Sequence, residues 1–201
     1  MISIIDYGVG NLGSISNMIN YIGGQSKIIN SPSEINESTK LILPGVGRYD
    51  YGISKLKESN FIESLNTKVL NDKVPILGIC LGAQLMCKKS EEGFVDGLGW
   101  LDAEVKKFKI NDELRIPHMG WNFVKSKKST KISDLGQEDE RFYFVHSYYM
   151  SPNCDDDIMF ETNYGGFFAS GLNKNNIYAC QFHPEKSHKY GISLMKRFLE
   201  I

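Results

Sequence analysis

The sequence predicts an α/β fold: a central mixed sheet with a parallel core and helices on both faces, extended by antiparallel strands in its second half. Two observations carry this expectation. Through the first half, short β-rich runs alternate with amphipathic stretches of helical period, the arrangement that returns each strand parallel to the one before. After Gly93 the apolar runs follow one another without long helical stretches between them, as antiparallel connections allow.

Taken in order, Ile2 to Ile5 opens as a buried strand. Leu12, Ile15, Ile19 and Ile22 recur at three- and four-residue steps, one face of a helix, until Gly23-Gly24 stops it. Lys27 to Ile29 and Leu41 to Leu43 are the second and third strands, the latter closed by Pro44-Gly45-Val46-Gly47. A helical stretch from about Ile53 to Leu70 carries the chain back to a fourth strand, Val74 to Ile79, and a helix from Leu81 to Lys88 follows. In the second half the strand candidates are Trp100 to Val105, Trp121 to Val124, Phe142 to Val145, Ile158 to Glu161 and Phe167 to Ala169. Ile177 to Phe182 is the last strand and Tyr190 to Leu199 the closing helix, while the charged 125–141 stretch reads as a solvated loop or hairpin end.

The 201 residues suit one compact domain spanning 1–201, and 41% apolar with 23% charged residues excludes a disordered, collagenous or membrane-spanning chain. A formal net charge of −1 supplies no field for holding polyphosphate backbones, so nucleic acid is a poor partner. The first residues carry no basic stretch followed by a long apolar one, so no export signal is read there. The cysteines, at 80, 87, 154 and 180, show neither CxxC spacing nor a histidine framework. No metal site, disulfide scaffold or cofactor is indicated, and a reducing cytoplasm is the natural setting.

Two glycine patterns compete for the chemistry. Gly8-Val9-Gly10-Asn11-Leu12-Gly13 follows a strand and opens a helix, as a dinucleotide-binding turn would, but the second strand ends in Ile29-Asn30-Ser31, without the acidic residue that reading needs. Its glycines are better read as permitting close approach of some other group. Gly78-Ile79-Cys80-Leu81-Gly82, directly after an apolar strand, is the stronger signal: a nucleophile on a sharp strand-to-helix turn leaves no room for side chains two residues to either side. The helix after it would place free amides and a positive dipole beside the sulfur. Cys87 and Cys180 suit an inert core role.

A cysteine nucleophile needs a base, and the base needs an orienter. His183-Pro184-Glu185 supplies both, since in an extended segment residues i and i+2 share a side, so Glu185 could hold one imidazole nitrogen while the other faces Cys80. His118 and His188 read as polar loop or helix-end residues, and His146 as a hydrogen-bonded strand histidine, with the role of base as its alternative. For the oxygen that becomes negative, the Leu81 amide is one donor, and the Val46 to Gly47 end of the glycine loop can present another.

Gly78-Ile79-Cys80-Leu81-Gly82-Ala83-Gln84 with His183-Pro184-Glu185 resembles the class I, triad-type glutamine amidotransferases, which have a flavodoxin-like fold. Asp6 to Leu12, Pro44 to Gly47, Pro117 to Asn122, Phe144 to Tyr148 and His183 to Ser187 together resemble the glutaminase subunits of imidazole glycerol phosphate synthases, along the whole chain. The resemblance implies that Cys80 attacks the side-chain amide of glutamine, that His183 protonates the departing ammonia, and that water hydrolyses the thioester. It places Gly47, Gln84, Ser147 and Tyr148 around the glutamine. It also implies a heterodimer with a (β/α)₈-barrel cyclase subunit that receives the ammonia, with Asn11, Met119, Trp121 and Lys186 at or near the interface. In that family the Pro44 to Gly47 loop turns its amide toward the oxyanion only when the partner and its ligand are engaged.

Arg48-Tyr49-Asp50-Tyr51 departs from the small and aromatic residues usual after this loop. That leaves open the same ammonia-supplying subunit recruited to aminate a surface-polysaccharide sugar. A non-catalytic flavodoxin-like binding module is the remaining class of answer, and a nucleotide-binding oxidoreductase a third.

Overall fold

The computed structural model describes residues 1–109, 114–135 and 140–201. Strands β1 (Ile2–Ile5), β2 (Ser26–Ile29), β3 (Leu41–Leu43), β4 (Ile76–Ile79) and β13 (Ile177–Cys180) form the parallel core, in the spatial order β2-β1-β3-β4-β13. The sheet continues antiparallel through β12 (Phe167–Lys174), β10 (Tyr148–Pro152) and β7 (Ala103–Lys107), and ends on two-residue strands β5 (Lys89–Ser90) and β6 (Val95–Asp96). β11 (Ile158–Asn163) branches from β12 and pairs with β8 (His118–Ser126), which forms a hairpin with β9 (Glu140–His146).

Side-chain alternation along the central strands divides the core in two. Ile2, Ile4, Ile42, Leu77 and Ile79 face one side, where α1 (Leu12–Tyr21) and α5 (His188–Glu200) contribute Ile15, Ile19, Leu194 and Phe198. Ile5, Leu41, Leu43 and Ile76 face the other, covered by α2 (Tyr49–Glu58), α3 (Phe61–Asn66) and α4 (Leu81–Leu85) through Ile53, Leu56, Phe61, Leu65 and Leu85. Helices therefore lie on both faces, as the sequence predicts. Among the described residues no helix is long and apolar enough to cross a membrane.

Three boundaries differ for identifiable reasons. The helix expected from Ile53 begins at Tyr49, because the Glu92 carboxylate accepts the Tyr49 backbone N–H at 2.8 Å and satisfies its first turn from a distant loop. It breaks at Asn60, which adopts φ 59°, a left-handed conformation asparagine tolerates. The helix expected to reach Lys88 stops at Leu85, since the carbonyls of Leu85, Met86 and Cys87 accept from the amides of Leu98, Leu101 and Gly99. The second half is antiparallel as expected, except where β5 pairs parallel with β7 and β13 with β4. The 125–141 stretch is the connection of the β8–β9 hairpin, with Ile132 and Ser133 buried beneath it; its residues 136–139 lie outside the described set.

Candidate active site

Cys80 is the single residue between β4 and α4, held at φ 53° and ψ −111°. A non-glycine residue in that region is strained, and the two glycines around it explain how the turn is forced. A Cβ on Gly82 would lie 1.9 Å from the Leu43 carbonyl oxygen, and one on Gly78 2.7 Å from the Ala83 Cα. Chain crosses chain at both points, so the elbow read from the sequence is present, with Cys80 buried at its tip.

His183 arrives from the neighbouring strand. β13 lies beside β4 with Cys180 opposite Ile79, and the Cys80 N–H donates to the Cys180 carbonyl at 2.8 Å. The His183 N–H donates to the Tyr143 carbonyl (2.9 Å), and its own carbonyl accepts from the Ser187 hydroxyl (2.6 Å), which in turn accepts the Tyr143 N–H (3.0 Å). Its Nδ1 donates to Glu185 Oε1 at 2.7 Å, with both side chains buried. Nε2 forms no hydrogen bond in this resting geometry, which leaves it as the ring nitrogen available toward the sulfur. Burial is the largest single influence on the imidazole and opposes its charge, yet the Cys80 sulfur and then the Glu185 carboxylate outweigh it and hold the His183 pKa well above the usual histidine range.

Cys80 and His183 line one cavity of about 280 Å³ together with Val46, Gly47, Leu81, Gln84, Ser147 and Tyr148. Its size is at the small end of sites for small molecules, roughly 300–1,000 Å³, and suits a single amino acid. Every residue expected at the substrate or the oxyanion is thus gathered here. The cavity also takes in Glu92, Pro117, Val145 and His146, which were not anticipated. Among the described residues Glu92 is its only carboxylate, and nothing local in the sequence marks it. Gln181, fully buried with its Nε2 3.9 Å from the Cys80 sulfur, was missed although it stands only two residues before His183.

The other expected residues separate cleanly. Asn11, Met119, Trp121 and Lys186 are all exposed. His118 is corrected: it is no loop residue but a buried member of β8, whose Nδ1 lies 3.0 Å from His146 Nε2. His146 is the hydrogen-bonded strand histidine expected, with Nδ1 2.8 Å from the Tyr148 carbonyl. The Gly8 to Gly13 turn is filled by the chain itself, a Cβ on Gly10 falling 3.1 Å from Pro44 Cβ.

The chain matches the family model described as glutamine amidotransferase class-I over residues 3–201. It belongs to the class-I glutamine amidotransferases. This amidotransferase is 52% identical over 200 residues to the "Imidazole glycerol phosphate synthase subunit HisH 2" of Methanococcus maripaludis, covering all of this chain and 99% of that one. It is 44% identical to the protein of the same printed name from Pseudomonas aeruginosa, and 42% identical to "subunit HisH 1" of M. maripaludis, each covering both chains entirely. Among solved structures, a glutamine amidotransferase from Thermotoga maritima superposes with TM-score 0.65 at 20% identity, over 99% of this chain and 80% of that one. That likeness establishes the fold of the amidotransferase: a mixed α/β sheet with a parallel core.

Proposed function

We propose that the chain is the glutaminase subunit of an imidazole glycerol phosphate synthase, releasing ammonia from glutamine for a cyclase subunit with a (β/α)₈ barrel, in histidine biosynthesis. The observation that carries this is the convergence of Cys80 and the His183–Glu185 pair on one amino-acid-sized cavity, in a chain whose full-length relatives bear that name.

The Cys80 thiolate attacks the carboxamide carbon of glutamine, and the carbonyl oxygen takes the negative charge. His183, as imidazolium, protonates the departing nitrogen, so ammonia leaves and a glutamyl thioester remains on the sulfur. Neutral His183 then takes a proton from water, the hydroxide attacks the thioester, and glutamate departs with thiolate and imidazolium restored. Glu185 fixes the ring tautomer and supports its positive charge. Leu81 and the Val46–Gly47 segment donate to the oxyanion. Gly47, Gln84, Ser147 and Tyr148 hold the substrate, and the Glu92 carboxylate receives its α-ammonium group. Exposed Asn11, Met119, Trp121 and Lys186 face the partner.

The test is synthesis by the purified pair. Cys80→Ala should abolish glutamine-dependent turnover and spare turnover from added ammonia; retained use of glutamine by that variant would overturn the reading.

A second acceptor is favoured by two observations. Arg48 and Asp50 form a bidentate pair (2.7 and 3.0 Å) directly after Gly47 of the cavity lining, and M. maripaludis carries two numbered subunits of which this chain is nearer the second. Failure of this chain, with its own partner, to rescue a histidine auxotroph would move the ammonia to sugar amination while leaving the half-reaction intact.

A further inference from the structure

From the cavity wall at His146 and Tyr148 a chain of hydrogen bonds runs inward through His118, to which the reaction above gives no role, and its direction can be worked out. The Tyr148 carbonyl only accepts, so His146 Nδ1, 2.8 Å away, carries the proton. In a neutral ring Nε2 is then an acceptor, and it meets His118 Nδ1 at 3.0 Å, which must donate. His118 Nε2 is left to accept from Asn122 Nδ2 at 3.2 Å. The Asn122 amide is oriented independently, because its Oδ1 accepts the Phe123 N–H at 2.8 Å and its Nδ2 also donates to the Asn163 carbonyl at 2.9 Å. Both ends of the chain therefore demand the same pair of tautomers. Burial favours neutral rings, pushing His146 down to about 3 and His118 to about 4.

From its other side the same carbonyl receives Gln84 Nε2 at 2.9 Å. The second N–H of that amide donates to Gln181 Oε1 at 3.0 Å, which turns Gln181 Nε2 toward the Cys80 sulfur at 3.9 Å. One carbonyl thus sets two side-chain amides, and the second ends at the nucleophile.

We infer that His118 and His146 are positioning residues for glutamine, locking the Tyr148 carbonyl so that the Ser147–Tyr148 wall, Gln84 and Gln181 keep one orientation around Cys80. This rests on the glutaminase reading. His118 stacks between Phe144 and Tyr164, with Phe108 and Phe168 against both histidines. Apolar rings would fill that cluster without burying four ring nitrogens; imidazoles are required where the carbonyl has to be held.

The experiment is inactivation of the full chain by 6-diazo-5-oxo-norleucine, a glutamine-shaped electrophile, beside alkylation by iodoacetamide, which uses none of the glutamine contacts. His118→Leu should raise the half-saturating concentration of the diazo compound about tenfold, a loss of roughly 1.4 kcal/mol in binding, and leave iodoacetamide labelling within about twofold. His118→Asn, which offers an amide donor near the Nδ1 position, should recover most of the loss. An unchanged half-saturation, or equal slowing with both reagents, would overturn the inference. Should His118→Leu not fold, Asn122→Ala at the half-buried end of the chain should give a smaller rise, and no rise would overturn it. Imidazole ¹⁵N resonances should place the proton on Nδ1 of both rings; an Nε2 proton on either would overturn it too. A wild-type chain that, with its partner bound, is labelled by iodoacetamide but refractory to the diazo compound would instead sink the glutaminase reading, and this inference with it.

Discussion

The backbone N–H of Leu81 donates to the carbonyl of Gly45 at 3.3 Å. The amide next to the nucleophile is therefore engaged, and by the very loop expected to supply the second oxyanion donor. For Leu81 to serve a developing negative charge, the Pro44–Gly47 segment has to turn its Gly45 carbonyl away. In the resting arrangement Cys80 and His183 line one cavity, while the Leu81 amide proposed to serve the oxyanion is already bonded.

Tyr7 is the tie on that segment. Its buried hydroxyl donates to the Pro44 carbonyl at 2.7 Å, one residue before the carbonyl that must move. Removing a hydrogen bond of about 1 kcal/mol corresponds to about fivefold in an equilibrium. Tyr7→Phe should accordingly raise glutamine hydrolysis by the isolated chain about fivefold and shrink its stimulation by the partner. A stopped assay of glutamate release checks this; unaltered basal hydrolysis would show that the hydroxyl does not restrain the loop.

His183 sets the alkaline side of the pH profile. Its folded pKa lies above the unfolded value of about 6.5, so its ionic interactions are fully present below that value and are lost as pH rises through the raised one. Glu185→Gln removes one of the two groups that hold the proton. The alkaline limb of kcat/KM should shift toward neutrality and the rate fall by about 10²–10⁴. A limb that stays in place would mean the carboxylate does not support the imidazolium.

Glu92→Gln separates binding from chemistry. The substituted side chain keeps an oxygen for the Tyr49 N–H and so preserves the start of α2, but it loses the charge proposed to pair with the substrate ammonium. KM for glutamine should rise about tenfold or more with kcat much less affected, as expected for a charge-assisted contact. Steady-state kinetics decide it, and an unmoved KM would take Glu92 out of the substrate site.

Gly82→Ala should damage the elbow itself. Its Cβ would fall 1.9 Å from the Leu43 oxygen, backbone against backbone, with no flexible side chain to yield. A cost of about 3 kcal/mol is expected from overpacking of this kind, read as a lower denaturation midpoint accompanied by loss of glutaminase activity. A fully stable variant would mean the turn can open without penalty.

Much of this was legible because the responsible interactions are local. The helical period of Leu12, Ile15 and Ile19, the strand runs at Ile2 and Leu41, the glycines about Cys80, and the pairing of His183 with Glu185 all act within a few residues, although that pair is made across a 3-10 turn over Pro184–Lys186 and not in the extended segment expected. What escaped depends on distant partners. Glu92 starts α2 across 43 residues, the amides of Leu98, Gly99 and Leu101 cut α4 short, and His118 is buried because Phe108, Phe144, Tyr164 and Phe168 pack around it. No short window of sequence shows that Asn122, His118, His146 and the Tyr148 carbonyl stand in one line. Gln181 is the exception, since its place two residues before His183 was available to be read.

The insertion of β13 between β4 and β12 has a consequence for synthesis on the ribosome. The strand that completes the middle of the sheet is made after all the other strands of that sheet, and it leads into His183. A nascent chain therefore exposes an unpaired edge on β4 until β13 is made, so products truncated before that strand are expected to aggregate along the edge.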